Sequence, residues 1–220
     1  MTDSSNEVMD WDSVYRQEGG FDGPPPWNIE VFAGSPDDAN SRVFFDGAMS
    51  VLQPKLADGT LAVKSGQTTF AQAATPGWKA ENAQRRMDTL LAGTYVRQPL
   101  HGVLSPNDTL ARAVLTAVRS AGKELPVVTG QDSEVESVKS ILRGEQYSTI
   151  NKDTAALVRR AIRMADDILQ GRAPEVNDTH SYSNGVKVVP ACLLEPLIVT
   201  LDNVRDAYAQ DPVLSKLVSP

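Results

Sequence analysis

One cysteine, Cys192, stands among 220 residues, so no disulfide can form within the chain. Its surroundings, Val189-Pro190-Ala191-Cys192-Leu193-Leu194, are those of a small packing residue rather than of an activated nucleophile. Histidine is nearly as scarce. His101 and His180 lie far apart without a neighbouring Cys or His at ligand spacing, which argues against a zinc site. No apolar run approaches the ~18 residues of a membrane span. Met1 to Asn6 is polar and lacks the basic and apolar regions of a secretory signal. Positive charge is also in deficit. A net charge of -7 argues against a protein that neutralises phosphates, and nucleic acid is not an expected partner.

Missing motifs narrow the chemistry further. No glycine-rich phosphate loop follows any strand-like run: Gly34-Ser35-Pro36 lacks the further glycines, and no Gly-Lys-Ser/Thr occurs. No Gly-x-Ser-x-Gly elbow is present, and two histidines leave little room for a triad. Asp37 and Asp38 are adjacent, a poor arrangement for two carboxylates that must face each other across a substrate, and helix capping accounts for them more simply. An enzyme is not expected, and no cofactor or metal is called for.

What is present is an ordinary globular composition, with 41% hydrophobic and 22% charged residues, arranged with great regularity. Residues 1–26 are acidic and end in Gly23-Pro24-Pro25-Pro26, which reads as a leader or linker. From Trp27 on, apolar runs alternate with amphipathic segments. Strands are expected at 29–33, 61–63, 102–104, 126–129 and 147–150, and helices over about 40–52, over 80–92, from about 108 with a buried stripe Leu110, Val114, Leu115 and Val118, and over 134–143 and 153–170. Gly93 is expected to cap the second helix, Asp38, Asp108 and Asp153 to cap the helices they precede, and Ser133 with Glu136 to form a capping box. Strict alternation of strand and helix implies an α/β fold with a doubly wound parallel sheet.

Ligands of such sheets bind beyond the carboxyl ends of the strands. The segments there are Ser35-Pro36-Asp37-Asp38-Ala39-Asn40, Ser105-Pro106-Asn107-Asp108, Gly130-Gln131-Asp132 and Asn151-Lys152-Asp153. They are rich in the hydrogen-bonding side chains that suit a polyhydroxylated ligand, and Asn40, Asn107 and Asp132 are the better ligand candidates.

Several ordered motifs, from Gly34-Ser35-Pro36-Asp37-Asp38-Ala39-Asn40 through Gly77-Trp78, Ser105-Pro106-Asn107-Asp108 and Val128-Thr129-Gly130-Gln131-Asp132 to Ile141–Thr154, carry a family likeness. Pro174–Thr179 and Asn184–Pro190 extend it, so that it covers roughly residues 22–205. The chain resembles the xylose-binding and multiple-monosaccharide-binding periplasmic receptors, type I periplasmic binding proteins that serve ABC importers. The resemblance implies a two-lobed clamp that closes on one aldopentose or aldohexose and docks on a membrane permease outside the cytoplasm. It places Asn40, Trp78, Asn107, Asp132 and Lys152 on sugar-contacting positions, with Trp78 stacked on the ring, Asp132 and Lys152 gripping hydroxyls and the two asparagines reading their orientation.

Two departures bear on this reading. Ala39 stands where relatives commonly carry a first asparagine, and the family's first lobe has no counterpart in the sequence. The expected organisation is then a leader at 1–26, a sugar-binding lobe at 27–152, a segment at 153–180 that in the family packs on the first lobe, and a return crossing at 181–220. The apolar stripe Leu157, Ala161, Met164 and Ile168 would lie uncovered and favour self-association through the 153–170 helix. The alternatives are the effector domain of a sugar-responsive transcription regulator, and a truncated, non-binding remnant of the receptor.

Overall fold

The computed structural model describes residue 21 and residues 24–219, so most of the expected leader lies outside the described residues. The chain forms two compact units. One comprises the described residues as far as Asn151 together with those from Leu197 on; the other runs from Lys152 to Pro196.

The first unit is built on β1 (Trp27–Val31), β2 (Leu61–Ala62), β3 (Gly102–Leu104) and β4 (Val127–Val128), all parallel and in the order β2-β1-β3-β4. Between them run α1 (Ala39–Ala57), the single turn α2 (Phe70–Ala73), a 3-10 turn at Pro76–Trp78, α3 (Ala80–Ala92) and α4 (Asp108–Ser120). Alternation along β1 explains why both faces are covered. Ile29, Val31 and Ala33 pack with Phe45, Ala48 and Leu52 of α1, whereas Phe32 packs with Met87, Leu90 and Leu91 of α3 and with Leu110, Val114 and Val118 of α4. Each fully buried side chain of this size contributes ~1.5–3 kcal/mol, so the apolar stripe of α4 outweighs any single cap at its end. This is the doubly wound α/β sheet.

An acidic side chain lies inside it. Glu30 of β1 is fully buried and has the partners a buried carboxylate needs: Tyr95 Oη donates to it at 2.6 Å, Ser65 Oγ donates at 2.7 Å, and the Arg86 guanidinium stands 3.8 Å away. Arg86 in turn donates to the carbonyl of Val31 at 2.9 Å and lies 4.2 Å over the ring of Phe32.

Beyond β4 come α5 (Val135–Leu142) and β5 (Ser148–Asn151). Sequence alternation predicts that the fifth strand continues the parallel sheet. The Tyr147 N–H does reach the carbonyl of Val128 at 3.0 Å, but the ladder of β5 is antiparallel and is made with residues 197–200.

The second unit opens at Lys152 and contains α6 (Thr154–Leu169). Asp153 caps α6 as expected, accepting from the N–H of Ala156 at 2.8 Å, and the helix stops at Gly171, whose φ of +69° suits glycine. Leu157, Val158, Ile162 and Ile168 are 52%, 55%, 65% and 61% exposed, and no residue of α6 is buried. Arg160 pairs with Glu175, and Arg172 bridges Asp166 and Asp167 at 2.8 Å each. Asn177, in the second Asn-Asp-Thr triplet, uses its side-chain amide to bind both the N–H and the carbonyl of Leu193.

The chain then returns as β6 (Leu197–Thr200), α7 (Val204–Ala207) and α8 (Ser215–Val218). Val199, Val204, Tyr208, Leu214 and Val218 form a third core with Val138 of α5, so this stretch belongs physically to the first unit.

Candidate functional site

The strand order reverses between β1 and β3, and there the loops at the carboxyl ends of the strands diverge. Four expected site residues fall on these loops in one unit: Asn40 just inside α1, Trp78 in the 3-10 turn after β2, Asn107 after β3 and Asp132 after β4. Asn40 and Asp132 are exposed, and Trp78 and Asn107 are half-buried. Lys152 is the first residue after β5 and opens the other unit. Cavities of ≈360 Å³ (Pro126, Val127, Tyr147, Thr200) and ≈300 Å³ (Val96, Leu100, Val118, Lys123) lie at the opposite, amino-terminal ends of the strands.

The caps are not all where sequence reasoning puts them. Asp38 does cap α1, accepting from the N–H of Asn40 at 2.9 Å. At α4 the capping residue is Asn107, whose Oδ1 accepts from the N–H of Leu110 at 2.9 Å, and Asp108, expected in that role, is buried at the first helical position. Gly93 ends α3 at φ −109° rather than in the left-handed conformation. The Ser133/Glu136 capping box is absent: α5 begins after Glu134, which makes no side-chain cap bond, and the Ser133 N–H that Glu136 would have taken goes to Thr149 Oγ1 at 3.1 Å, while the carboxyl of Asp108 accepts the Glu134 N–H at 2.9 Å from 26 residues away.

Asp108 is thus a hub beneath the Asp132 loop. Its Oδ1 accepts from Gln146 Nε2 at 2.8 Å, and its Oδ2 accepts from Thr149 Oγ1 at 2.9 Å as well as from Glu134. Thr149 Oγ1 accepts from the N–H of Ser133 at 3.1 Å, Tyr208 Oη donates to Ser133 Oγ at 2.6 Å, and the Asp132 N–H reaches the carbonyl of Ile150 at 3.1 Å. These bonds hold Asp132 and Ser133 at φ +101° and +55°, conformations that non-glycine residues seldom adopt and that need such over-determination. Gly130 makes room for the hub, since a Cβ there would stand 2.2 Å from Asp108 Oδ1 and 2.5 Å from Gln146 Nε2. Burial pushes the Asp108 carboxyl up to about 7, against the three donors, which favour its charged form; the nearby charge of Glu134 adds to the rise.

Sequence reasoning missed Gln146, Thr149 and Tyr208 as supports. Only Gly130, a glycine directly after a strand, hints at a close approach.

A model of the periplasmic binding protein domain matches residues 17–173. The multiple sugar-binding periplasmic receptor ChvE of Rhizobium radiobacter is 47% identical over 208 residues, which are 92% of this chain and 59% of that protein. The D-xylose-binding periplasmic protein of Escherichia coli K12 is 31% identical over 85% of this chain and 54% of its own length. Among solved structures, an ABC transporter solute-binding protein of Clostridium phytofermentans with bound β-D-glucose superposes with a TM-score of 0.86 at 38% identity, covering 93% of this chain and 64% of that one. The chain spans just over half the length of the two curated relatives. A family model that covers most of the chain, and a fold and loop order that agree with it, make this chain a member of the periplasmic binding protein domain family.

Proposed function

We propose that this chain carries one sugar-gripping lobe of a monosaccharide receptor that delivers an aldopentose or aldohexose to an ABC permease outside the cytoplasm, without catalysis of its own. The observation that carries the reading is the convergence of Asn40, Trp78, Asn107 and Asp132 on the loops at the carboxyl edge of one sheet, two strands either side of the switch point. An indole suits the C–H face of a sugar ring, and carboxylate and amide groups suit its hydroxyls. Lys152, the first residue after β5, supplies a cationic donor on the resemblance alone. The relatives' names and the glucose bound in the C. phytofermentans protein support this ligand class.

The test is an NMR titration of the chain with D-xylose, D-glucose, D-galactose and L-arabinose. Shifts are expected in residues 35–40, 76–79, 105–108 and 130–133, and shifts confined to other regions reject the reading. In a chimera completed with the rest of a relative's sequence, Asp132→Ala should weaken sugar binding by more than about tenfold, because bonds to a charged group are strong and the sugar hydroxyls would lose their partner. Trp78→Ala should weaken all four sugars by similar factors, since stacking is blind to hydroxyl orientation.

The exposed side chains of α6 support self-association as a further property of the chain on its own. Light scattering should then show a species larger than the monomer, and Leu157→Lys with Ile168→Lys should return it to monomer. A monomeric starting chain would reject this.

A further inference from the structure

We propose that Gly34 and Asp38 are positioning residues for Trp78, the glycine giving the indole its seat and the carboxylate fixing the ring's rotation. This rests on the reading of Trp78 as the stacking aromatic. A Cβ built on Gly34 would stand 1.9, 2.1 and 2.4 Å from Trp78 Cη2, Cζ2 and Cζ3, so the six-membered ring lies directly on the backbone of residue 34, and only glycine admits it. At the other edge of the indole, Nε1 donates to Asp38 Oδ2 at 3.2 Å. The second oxygen of the same carboxylate caps α1 through the N–H of Asn40, so one side chain ties the ring to the helix that bears another site residue.

The backbone around the indole is fastened to the same loop. The Thr75 N–H donates to the carbonyl of Gly34 at 3.0 Å, and the Gly77 N–H donates to Ser35 Oγ at 2.7 Å. Gly77 and Trp78 take φ values of +67° and +53°. The second is unusual for a bulky residue and persists only because these contacts over-determine it. Trp78 also packs against the core shared by α3 and α4, which leaves it half-buried. An aromatic that is to meet a flat ring face must be held at a fixed tilt before the ligand arrives, since ordering it on binding would subtract from affinity.

The experiment uses the whole chain with Trp11→Phe and Trp27→Phe, leaving Trp78 as the only indole. Asp38→Ala is expected to move the Trp78 emission to longer wavelength and to raise acrylamide quenching roughly twofold, because the indole N–H loses the carboxylate that holds it. Asp38→Asn retains an acceptor and should keep the parent spectrum. Gly34→Ala should give the same red shift as Asp38→Ala, provided circular dichroism shows a folded chain. If it does not fold, the Asp38 pair decides alone. A role for Asp38 in capping only would lower the thermal midpoint of Asp38→Ala without moving the emission, and an unchanged spectrum in that variant overturns the proposal. The sugar reading fails separately: if Trp78→Ala leaves the sugar-induced NMR shifts intact, Trp78 does not stack on the ligand, whatever the spectra of the Asp38 variants show.

Discussion

Replacing Asp108 with alanine is expected to cost roughly 3 to 5 kcal/mol at pH 4, measured as a lowered midpoint in denaturant unfolding. The change strips the Gln146 amide, the Thr149 hydroxyl and the Glu134 N–H of their common acceptor, and an unsatisfied buried donor costs ~1–3 kcal/mol before the surroundings relax. A loss below about 1 kcal/mol would mean that water replaces the carboxyl group freely, and the hub would lose its meaning. The pH dependence is a second check. The folded carboxyl titrates near 7 against an ordinary value of 3.8, so the folded state holds the proton over a window where the unfolded chain has released it. The contribution of Asp108 is therefore fully present below about pH 4 and is lost as pH rises through about 7. Glu134 and Tyr208 face it electrostatically, and Arg112, paired with Glu134, stands one turn along α4. Asp108→Asn should remove this slope between pH 4 and 7, while a slope that survives would assign it to another group.

The 220-residue chain by itself should bind monosaccharides in the millimolar range and show no saturation at micromolar concentrations. Asn40 and Asp132 are exposed, so every hydrogen bond they offer a sugar competes with water. A receptor that surrounds its ligand at micromolar affinity gains about −8 kcal/mol, and halving its contacts brings that towards about −4 kcal/mol, a thousandfold weaker. Isothermal titration against xylose, glucose, galactose and arabinose decides this. A micromolar constant would show that the described loops suffice and that a second enclosing surface is not needed.

The difference between what was legible and what was not follows the range of the interactions. The runs Ile29–Ala33 and Gly102–Leu104 read as strands because β-branched and apolar residues sit between polar turns, and α3, α4 and α6 read as helices from their stripes alone. The loop positions of Asn40, Trp78, Asn107 and Asp132 came with the resemblance and with the rule for carboxyl ends of strands. The supports beneath them were not legible. Ser133 looks like a local cap, yet its hydroxyl is engaged by Tyr208, 75 residues on, and its own N–H, which Glu136 would have served in a capping box, is taken by Thr149. Likewise β6 was unreadable as a partner for β5, since nothing in Leu197–Thr200 says that it returns antiparallel across 45 intervening residues, 152–196. Trp78 on Gly34 belongs to the same class of long-range fact, since a glycine leaves no mark in the sequence of what rests on it.

The return of Leu197–Val218 to the first unit has a consequence for how this polypeptide is made. The parallel sheet is complete by residue 128, and its cores can form as soon as α4 and β4 have left the ribosome. The third core cannot. Val138 waits for Val199, Val204 and Tyr208, so α5 and the 130–134 loop stay without their covering until residues 199–218 have been synthesised. The nascent chain therefore passes through a stage in which the sheet is folded while the loop that presents Asp132 is not yet braced. A stop codon just before Leu197 would leave every chain in that stage permanently.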